Sequence, residues 1–384
     1  MIYLDNNAST RLDPEVREAM AAAADVFGNP SSLHAEGQRA RRAIEEARDR
    51  IAALVGGSAV EVVLTSGGTE ANALALFGAT AGRRGRVVVS GVEHPSVREA
   101  AVRLGGRGCE VVAVAPEPSG RLDAGRVLEA VVPGTLLVSV MAANNEYGAV
   151  FPVPAIAEGA RRTGALVHTD AVQAAGRLPV DVGAWGVDLL SISAHKMHGP
   201  KGAGALWVRR GVRLEPHTPG GGQEKRLRAG TENTSGIVGF GAAARLAAAR
   251  LGEAKGIAEL RDRLERGILE SVPGARVVGA ASERLPNTAA VLFPGASGEM
   301  LLMRLDLEGV AVSSGSACSS GTVAPSPALL ALGLAPSEAR SVVRFSLSRD
   351  TTEAEIARVL EILPAAVADA RSVSVVREAS GVAP

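Results

Sequence analysis

A lysine stands in an unusual setting at position 196. The apolar run Leu189, Leu190 and Ile192 leads through Ser193, Ala194 and His195 into Lys196, and a Gly/Pro-rich turn follows. Lysine is rarely sheltered without a partner. Desolvation lowers its proton affinity and makes the amine nucleophilic, the condition for Schiff-base chemistry. An isolated Ser-x-His-Lys is equally a surface loop with a solvated lysine, so the remaining residues decide.

Other chemistry-bearing residues fall at similar places. Ser66-Gly67-Gly68-Thr69 lies between an apolar strand pattern and a helix pattern. Backbone N–H groups at a helix N-terminus bind phosphate, and the Thr69 hydroxyl adds a donor. Gly-Gly before a helix is also an ordinary turn. Neither G-x-x-x-x-G-K-S/T nor G-x-G-x-x-G occurs, which leaves a nucleotide site without support. Asp170 follows the strand pattern 165–169, at a carboxyl end, where open α/β sheets place ligands. A carboxylate there can keep a pyridinium nitrogen protonated; it can also simply cap a helix. Gln173 points the same way, and Asn144-Asn145-Glu146 offers amide donors after another strand. His94 follows the strand 86–90, where its ring could stack on an aromatic ligand or be a structural imidazole. A phosphate cradle, a stacking ring, a partner for a ring nitrogen and an amine are the minimal kit for pyridoxal phosphate. Each is ordinary alone; their occurrence on successive strand ends is not.

A second chemical stretch is Val312-Ser313-Ser314-Gly315-Ser316-Ala317-Cys318-Ser319-Ser320-Gly321. A Ser/Gly-rich segment is expected to be mobile, and a cysteine within it is accessible and readily deprotonated. Cys109, beside a strand, reads instead as an inert thiol. Arg344 is a cationic fork suited to a carboxylate, with a structural ion pair as the competing reading.

The elements that must position these residues alternate. Strands are expected at 60–65, 86–90, 110–115, 135–141, 165–169 and 188–191, with helices between most of them. This pattern argues for a mostly parallel sheet covered on both faces. Residues 203–208 read as an antiparallel addition, and an Ala-rich helix is expected from about 236 to 251. From 275 onward the texture is that of a smaller α/β unit. Strands are expected there at 276–278, 288–292, 311–313 and 342–346. Helices are expected at 298–307 and 353–363, the second ending before Pro364, and 371–384 reads as a loose tail. The 384 residues suffice for two domains. With 41 basic and 41 acidic residues the formal charge is zero, so nothing draws the chain to nucleic acid or an acidic membrane. Two cysteines, Cys109 and Cys318, make no disulfide framework or metal cluster. No long apolar run and no leader are seen, so a cytoplasmic protein is expected.

The set YLDNNAST, TSGGTEAN, EHPSV, NNEYG, HTDAVQ, SISAHKMHGPKG, RAGTENT, SSGSACSSG and VRFSLSRD resembles the cysteine desulfurases of the NifS/IscS type, collinearly over nearly the whole chain. The resemblance implies a fold-type-I pyridoxal-phosphate homodimer. It implies a large domain over 16–250 with a mostly parallel seven-stranded sheet. Residues 1–15 and 251–384 would then form the small domain that carries the Cys318 loop. The implied reaction takes L-cysteine to L-alanine and leaves a persulfide on Cys318. An acceptor such as an iron–sulfur scaffold, or a route to thio-cofactors or thiolated tRNA, then takes the sulfur.

By matching position, Lys196 is the Schiff-base lysine and Cys318 the nucleophile. Gly68, Thr69, Ser193 and His195 are phosphate contacts, and Thr231 reaches across the dimer. Asp170 pairs with the ring nitrogen and Gln173 with the ring hydroxyl, while His94 stacks and serves as a further acid/base. Asn145, Arg344 and Asn7 attend the substrate carboxylate, with Asn145 also near the cofactor. No metal site is implied beyond a passing iron–sulfur contact at Cys318 during transfer. Met197-His198 and Ser9 depart slightly from the family's usual residues. Another pyridoxal-phosphate lyase or aminotransferase would not need the cysteine loop. A non-catalytic sulfur carrier would leave the lysine and phosphate kit unexplained.

Overall fold

The computed structural model describes residues 1–314 and 324–380, with side chains through residue 372. Eight strands come first: β1 (Ile2–Tyr3), β2 (Val62–Thr65), β3 (Arg86–Ser90), β4 (Glu110–Val114), β5 (Thr135–Ser139), β6 (Leu166–Asp170), β7 (Leu189–Ser193) and β8 (Gly204–Val208). Strands β2 to β8 form a seven-stranded sheet in the order β2-β8-β7-β6-β5-β3-β4. β8 runs antiparallel to both β2 and β7, and every other pairing is parallel. β5 and β7 are buried along their whole length. Such continuous apolar strands belong to a sheet covered on both faces. The fold is therefore α/β, and six of the seven strands point their carboxyl ends to one edge.

The helix Gly68–Thr80 follows β2 at that edge and is buried over most of its length. Its approach needs glycine. A Cβ on Gly204 would meet Gly67 Cα at 2.5 Å, and one on Gly68 would meet Val172 Cγ2 at 2.8 Å. The backbone thus passes where no side chain fits. The Ala-rich helix spans Thr234–Ala249, with the Asn233 side chain accepting from Gly236 N.

The smaller unit contains β9 (Arg276–Val277), β10 (Thr288–Leu292), β11 (Val310–Ala311), β12 (Ser313–Ser314) and β13 (Val342–Ser346). A four-stranded sheet runs β12-β13-β10-β9, while β11 pairs in parallel with the N-terminal β1. The single strand expected at 311–313 is thus two strands, because its halves find different partners. Its second half lies against Val343 and Arg344. One apolar cluster joins Leu4 to Leu264, Ile268, Phe293, Leu301, Leu305 and Phe345, so the N-terminal segment packs with the C-terminal third.

The C-terminal expectation needs correction. The helix does not stop before Pro364 but runs Glu353–Ser380 with the proline inside. Proline removes one ladder hydrogen bond. Here Leu363, Ala366, Val367 and Ala370 are all buried in the small core on either side of it. Arg371 is also tied down, donating to Pro294 O and Pro273 O at 3.1 and 2.9 Å. Tertiary packing outweighs the local break.

Candidate active site

The carboxyl edge of the large sheet is where the expected residues meet. At its β2 end, the Ser66 N–H donates to Glu70 Oε2 at 2.7 Å, and Arg228 Nε holds the other oxygen of that carboxylate at 2.9 Å. These bonds fix the turn before the helix Gly68–Thr80. A pocket there is lined by Gly67, Gly68, Thr69, Ser193, His195 and Lys201, among others. Ser193 Oγ, buried at the end of β7, has no hydrogen-bond partner among the described residues. A buried hydroxyl without a partner is costly, so a polar ligand in this pocket would satisfy it. His195 Nδ1 lies 3.4 Å from Ser9 Oγ. Burial and the nearby Lys196 and Lys201 cations push its pKa down to about 4, leaving a neutral ring that can donate. Thr231 is exposed and does not line this pocket.

Lys196 closes the short helical turn Ala194–Lys196 after β7. Its Nζ donates to Asn7 O and, at 2.8 Å, to Ala8 O. Burial, then the Arg177 and Arg344 cations, push its pKa down to about 7; Asp170 and Asp5 oppose the shift. Near neutrality a large share of this amine is uncharged, as a nucleophile or base requires. Gln173 Nε2 donates to the same Asn7 O at 3.0 Å.

Asp170, at the end of β6, accepts from Val172 N at 2.9 Å and from Asn72 Nδ2 at 2.7 Å. Asn72 Nδ2 also reaches Ser96 Oγ at 2.8 Å, and that oxygen lies 2.8 Å from His94 Nδ1. Aspartate and histidine are thus joined through Asn72 and Ser96, neither of which the sequence reading singled out. Asn72 stands one helical turn after Gly68 within TSGGTEAN, and that spacing was the available signal. His94 caps the helix Pro95–Gly106. Desolvation lowers its pKa, Asp170 opposes the shift, and Lys196 and Arg98 add to it. Glu93 is buried behind it and accepts from Ser90 Oγ at 2.5 Å and Met141 N at 2.8 Å. Burial pushes its pKa up to about 8. His168, one pleat before Asp170, lies between Ser139 Oγ and Ser191 Oγ at 2.8 and 3.0 Å. Burial drives it down to about 3, so it is a neutral clamp across three adjacent strands.

The opposite wall comes from the N-terminal segment and the small sheet. Arg344 Nη2 donates to Asp5 Oδ1 at 2.7 Å and Nη1 to Asn145 O at 2.9 Å, while its buried Nε has no partner among the described residues. The fork expected to take a carboxylate is already holding one. The Asn7 side chain is also engaged, with Thr288 Oγ1 at 2.9 Å, Asn145 O at 3.1 Å and Asn287 Nδ2 at 3.0 Å. What Asn7 turns toward Lys196 is its carbonyl. Cys318 lies outside the described residues. On one side of that stretch Ser313 sits opposite Arg344; on the other, Ser326 Oγ donates to Glu146 Oε2.

A neutral-leaning amine, a braced carboxylate and an anion cradle on one sheet edge are what an enzyme using pyridoxal phosphate requires, and these residues fit that group. Residues 2–359 match the aminotransferase class-V family. A "Cysteine desulfurase" of Cereibacter sphaeroides is 48% identical over 378 residues, 97% of each chain. Among solved structures, a "NifS-like protein" superposes with a TM-score of 0.90 at 34% identity, covering 96% of this chain and 99% of that one. Another, "SspA in complex with cysteine", gives 0.81 at 34%, covering 92% and 100%. The chain belongs to the class-V aminotransferases and, within them, to the cysteine desulfurases. No helix among the described residues is long and apolar enough to cross a membrane.

Proposed function

We infer that this chain removes sulfur from L-cysteine, leaving L-alanine, and holds the sulfur as a persulfide on Cys318. The observation that carries this reading is the sheltered Lys196 amine, resting on the Asn7 and Ala8 carbonyls at the sheet edge that bears Asp170, in a chain 48% identical to a cysteine desulfurase over nearly its full length. When bound, pyridoxal phosphate supplies a carbonyl carbon for the substrate amine and a ring that draws electrons from the neighbouring carbon.

The chain's own residues do the rest. Gly68, Thr69, Ser193 and His195 hold the phosphate, with Thr231 contributed by a second copy in a homodimer. Asp170, braced by Asn72 and the Val172 N–H, keeps a proton on the ring nitrogen. Gln173 meets the ring hydroxyl and His94 covers the ring. Lys196 anchors the cofactor and, once released, its neutral amine takes the proton from the substrate Cα. Arg344, with Asn145 and the Asn7 backbone beside it, orients the substrate carboxylate after Asp5 gives way. The Cys318 thiolate attacks the substrate sulfur. The carbon–sulfur bond breaks with its electron pair left on Cβ; a proton taken up at Cβ, matching the one lost from the substrate thiol, and return of the Cα proton from Lys196 give alanine. The persulfide sulfur then passes to an acceptor, for which an iron–sulfur scaffold is the leading candidate. The reading places the chain in the cytoplasm, where the buried Cys109 stays a free thiol. It also divides the chain into two domains, 16–250 and 1–15 with 251–384; limited proteolysis that never cuts near 250 would count against that division.

The deciding experiment is a visible spectrum of the purified protein, then L-cysteine addition with alanine and sulfide assayed in parallel. A cofactor band with equal alanine and sulfide under reductant is expected. Cys318→Ala should keep the band and lose persulfide transfer, and normal sulfide release from that variant would overturn the role of Cys318.

A further inference from the structure

Arg177 is a sheltered cation without an anion. Its Nη1 donates to Gln173 O at 2.9 Å and Gln173 Oε1 at 2.5 Å, and its Nη2 to Asn6 O at 3.3 Å. All three acceptors are neutral, and among the described residues no carboxylate forms an ion pair with it. The arginines that share a pocket with it differ: Arg250 and Arg349 both pair with Asp13. Burial and the Arg344 cation push the Arg177 pKa down to about 10, so its charge is held at a cost. A charge kept unpaired in this way calls for a use.

What Arg177 holds leads directly to the lysine. Because Gln173 Oε1 accepts from Arg177, its Nε2 must face the other way, and it donates to Asn7 O at 3.0 Å. The same Asn7 oxygen accepts from Lys196 Nζ. The second arm of the guanidinium grips Asn6 O, one residue earlier, so amide and backbone are fixed together. The charged and titratable groups acting on Lys196 are Arg177 and Arg344, which repel its proton, and Asp170 and Asp5, which attract it. His94 and His195 stand beside it with lowered proton affinity. The two carboxylates are each engaged elsewhere, Asp170 with Asn72 and Asp5 with Arg344. Of the two cations acting on the lysine, Arg344 has a carboxylate partner and, among the described residues, Arg177 has none.

We propose that Arg177 is a positioning residue for Lys196: it braces the Gln173 amide and the Asn6–Asn7 backbone on which the lysine rests, and it sets an unpaired positive charge behind that support. This deepens the desulfurase reading and rests on Lys196 being the reacting amine. Arg177 touches neither substrate nor cofactor; it acts through Gln173 and through its field.

The test is the pH dependence of Lys196 acetylation by acetic anhydride in the full-length, cofactor-free chain, read at that residue by mass spectrometry. The wild type should label with a midpoint near 7, where burial and Arg177 place it. Arg177→Met and Arg177→Gln should raise the midpoint by about one pH unit, a roughly fivefold slower reaction at pH 7. Arg177→Lys, which keeps the charge, should bring it back. The glutamine variant keeps a donor for the carbonyl acceptors and so answers the question even where the methionine variant fails to fold. An unmoved midpoint in the glutamine variant overturns the proposal. Borohydride reduction of the loaded wild type, with peptide mapping, separates the two readings. A cofactor fixed to a residue other than Lys196 sinks the assignment of that lysine, whereas a cofactor on Lys196 with an unmoved midpoint removes only Arg177.

Discussion

The two walls of the site are built in opposite ways. The cofactor wall rises from one sheet edge, and its groups are braced from behind but open in front. Asp170 is held by Asn72 and the Val172 N–H, while Ser193 Oγ is buried with no partner among the described residues. The substrate wall is assembled from the N-terminal segment, Asn145 and the small sheet, and its groups already satisfy one another. Arg344 holds Asp5, and the Asn7 amide is divided among Asn145, Thr288 and Asn287. An open wall takes its ligand without giving anything up. A closed wall exchanges internal bonds for external ones, so its affinity is the small difference of similar terms. Substitutions on the first wall should therefore cost much, and some on the second should help.

The largest effect is expected at Lys196. Lys196→Ala removes the amine to which the open wall is fitted, and loss of the base alone is worth about 10²–10⁴-fold. Alanine formation should fall by at least that factor and the visible cofactor band should disappear. A variant keeping the band would show that the amine is elsewhere. Protonation should do reversibly what substitution does permanently. The Lys196 pKa is lowered to about 7, so the neutral amine prevails above that pH and is lost below it. The rate of alanine formation at saturating cysteine should fall by about tenfold per unit on the acid side. A rate flat down to pH 5 would mean that another group takes the proton.

Asn72→Ala comes next. It strips one of the two donors from Asp170 and breaks the link through Ser96 to His94. A hydrogen bond to a charged group is worth about 1.5–3 kcal/mol, so kcat should drop roughly ten- to a hundredfold with KM little changed. A rise in KM at constant kcat would place Asn72 on the substrate wall and blur the distinction between the two.

The same contrast explains what the sequence disclosed. Lys196, Asp170, Ser193 and Gly68 could be read because each stands where a strand pattern ends, and local motifs mark such places. The seven strands of the large sheet were legible for the same reason, through their short apolar runs. Arg177, Asn72 and Asp5 were not, since their roles depend on partners that only folding supplies. Asp5 meets Arg344 across 339 residues of chain. The continuation of the last helix through Pro364 was hidden likewise: the proline is local, whereas the core that holds Leu363 and Val367 is not.

The smallest effect is the most informative about the closed wall. Asp5 is a partly exposed carboxylate, with 22% of its side chain accessible against 6% for Arg344. An ion pair so placed is worth little on its own, yet it occupies an arm of the fork that the substrate carboxylate needs. Asp5→Asn keeps the shape and removes the competing charge, so KM for L-cysteine should fall by roughly two- to fivefold, within the range of about 1 kcal/mol for such pairs. The variant must be compared at a pH well above 7, because Asp5 also draws the proton to Lys196 and its loss shifts the acid limb slightly downward. If KM rises instead, Asp5 orients Arg344 for its ligand. The substrate wall would then be preorganised like its counterpart, and the pairing seen here would be the binding geometry itself rather than an obstacle to it.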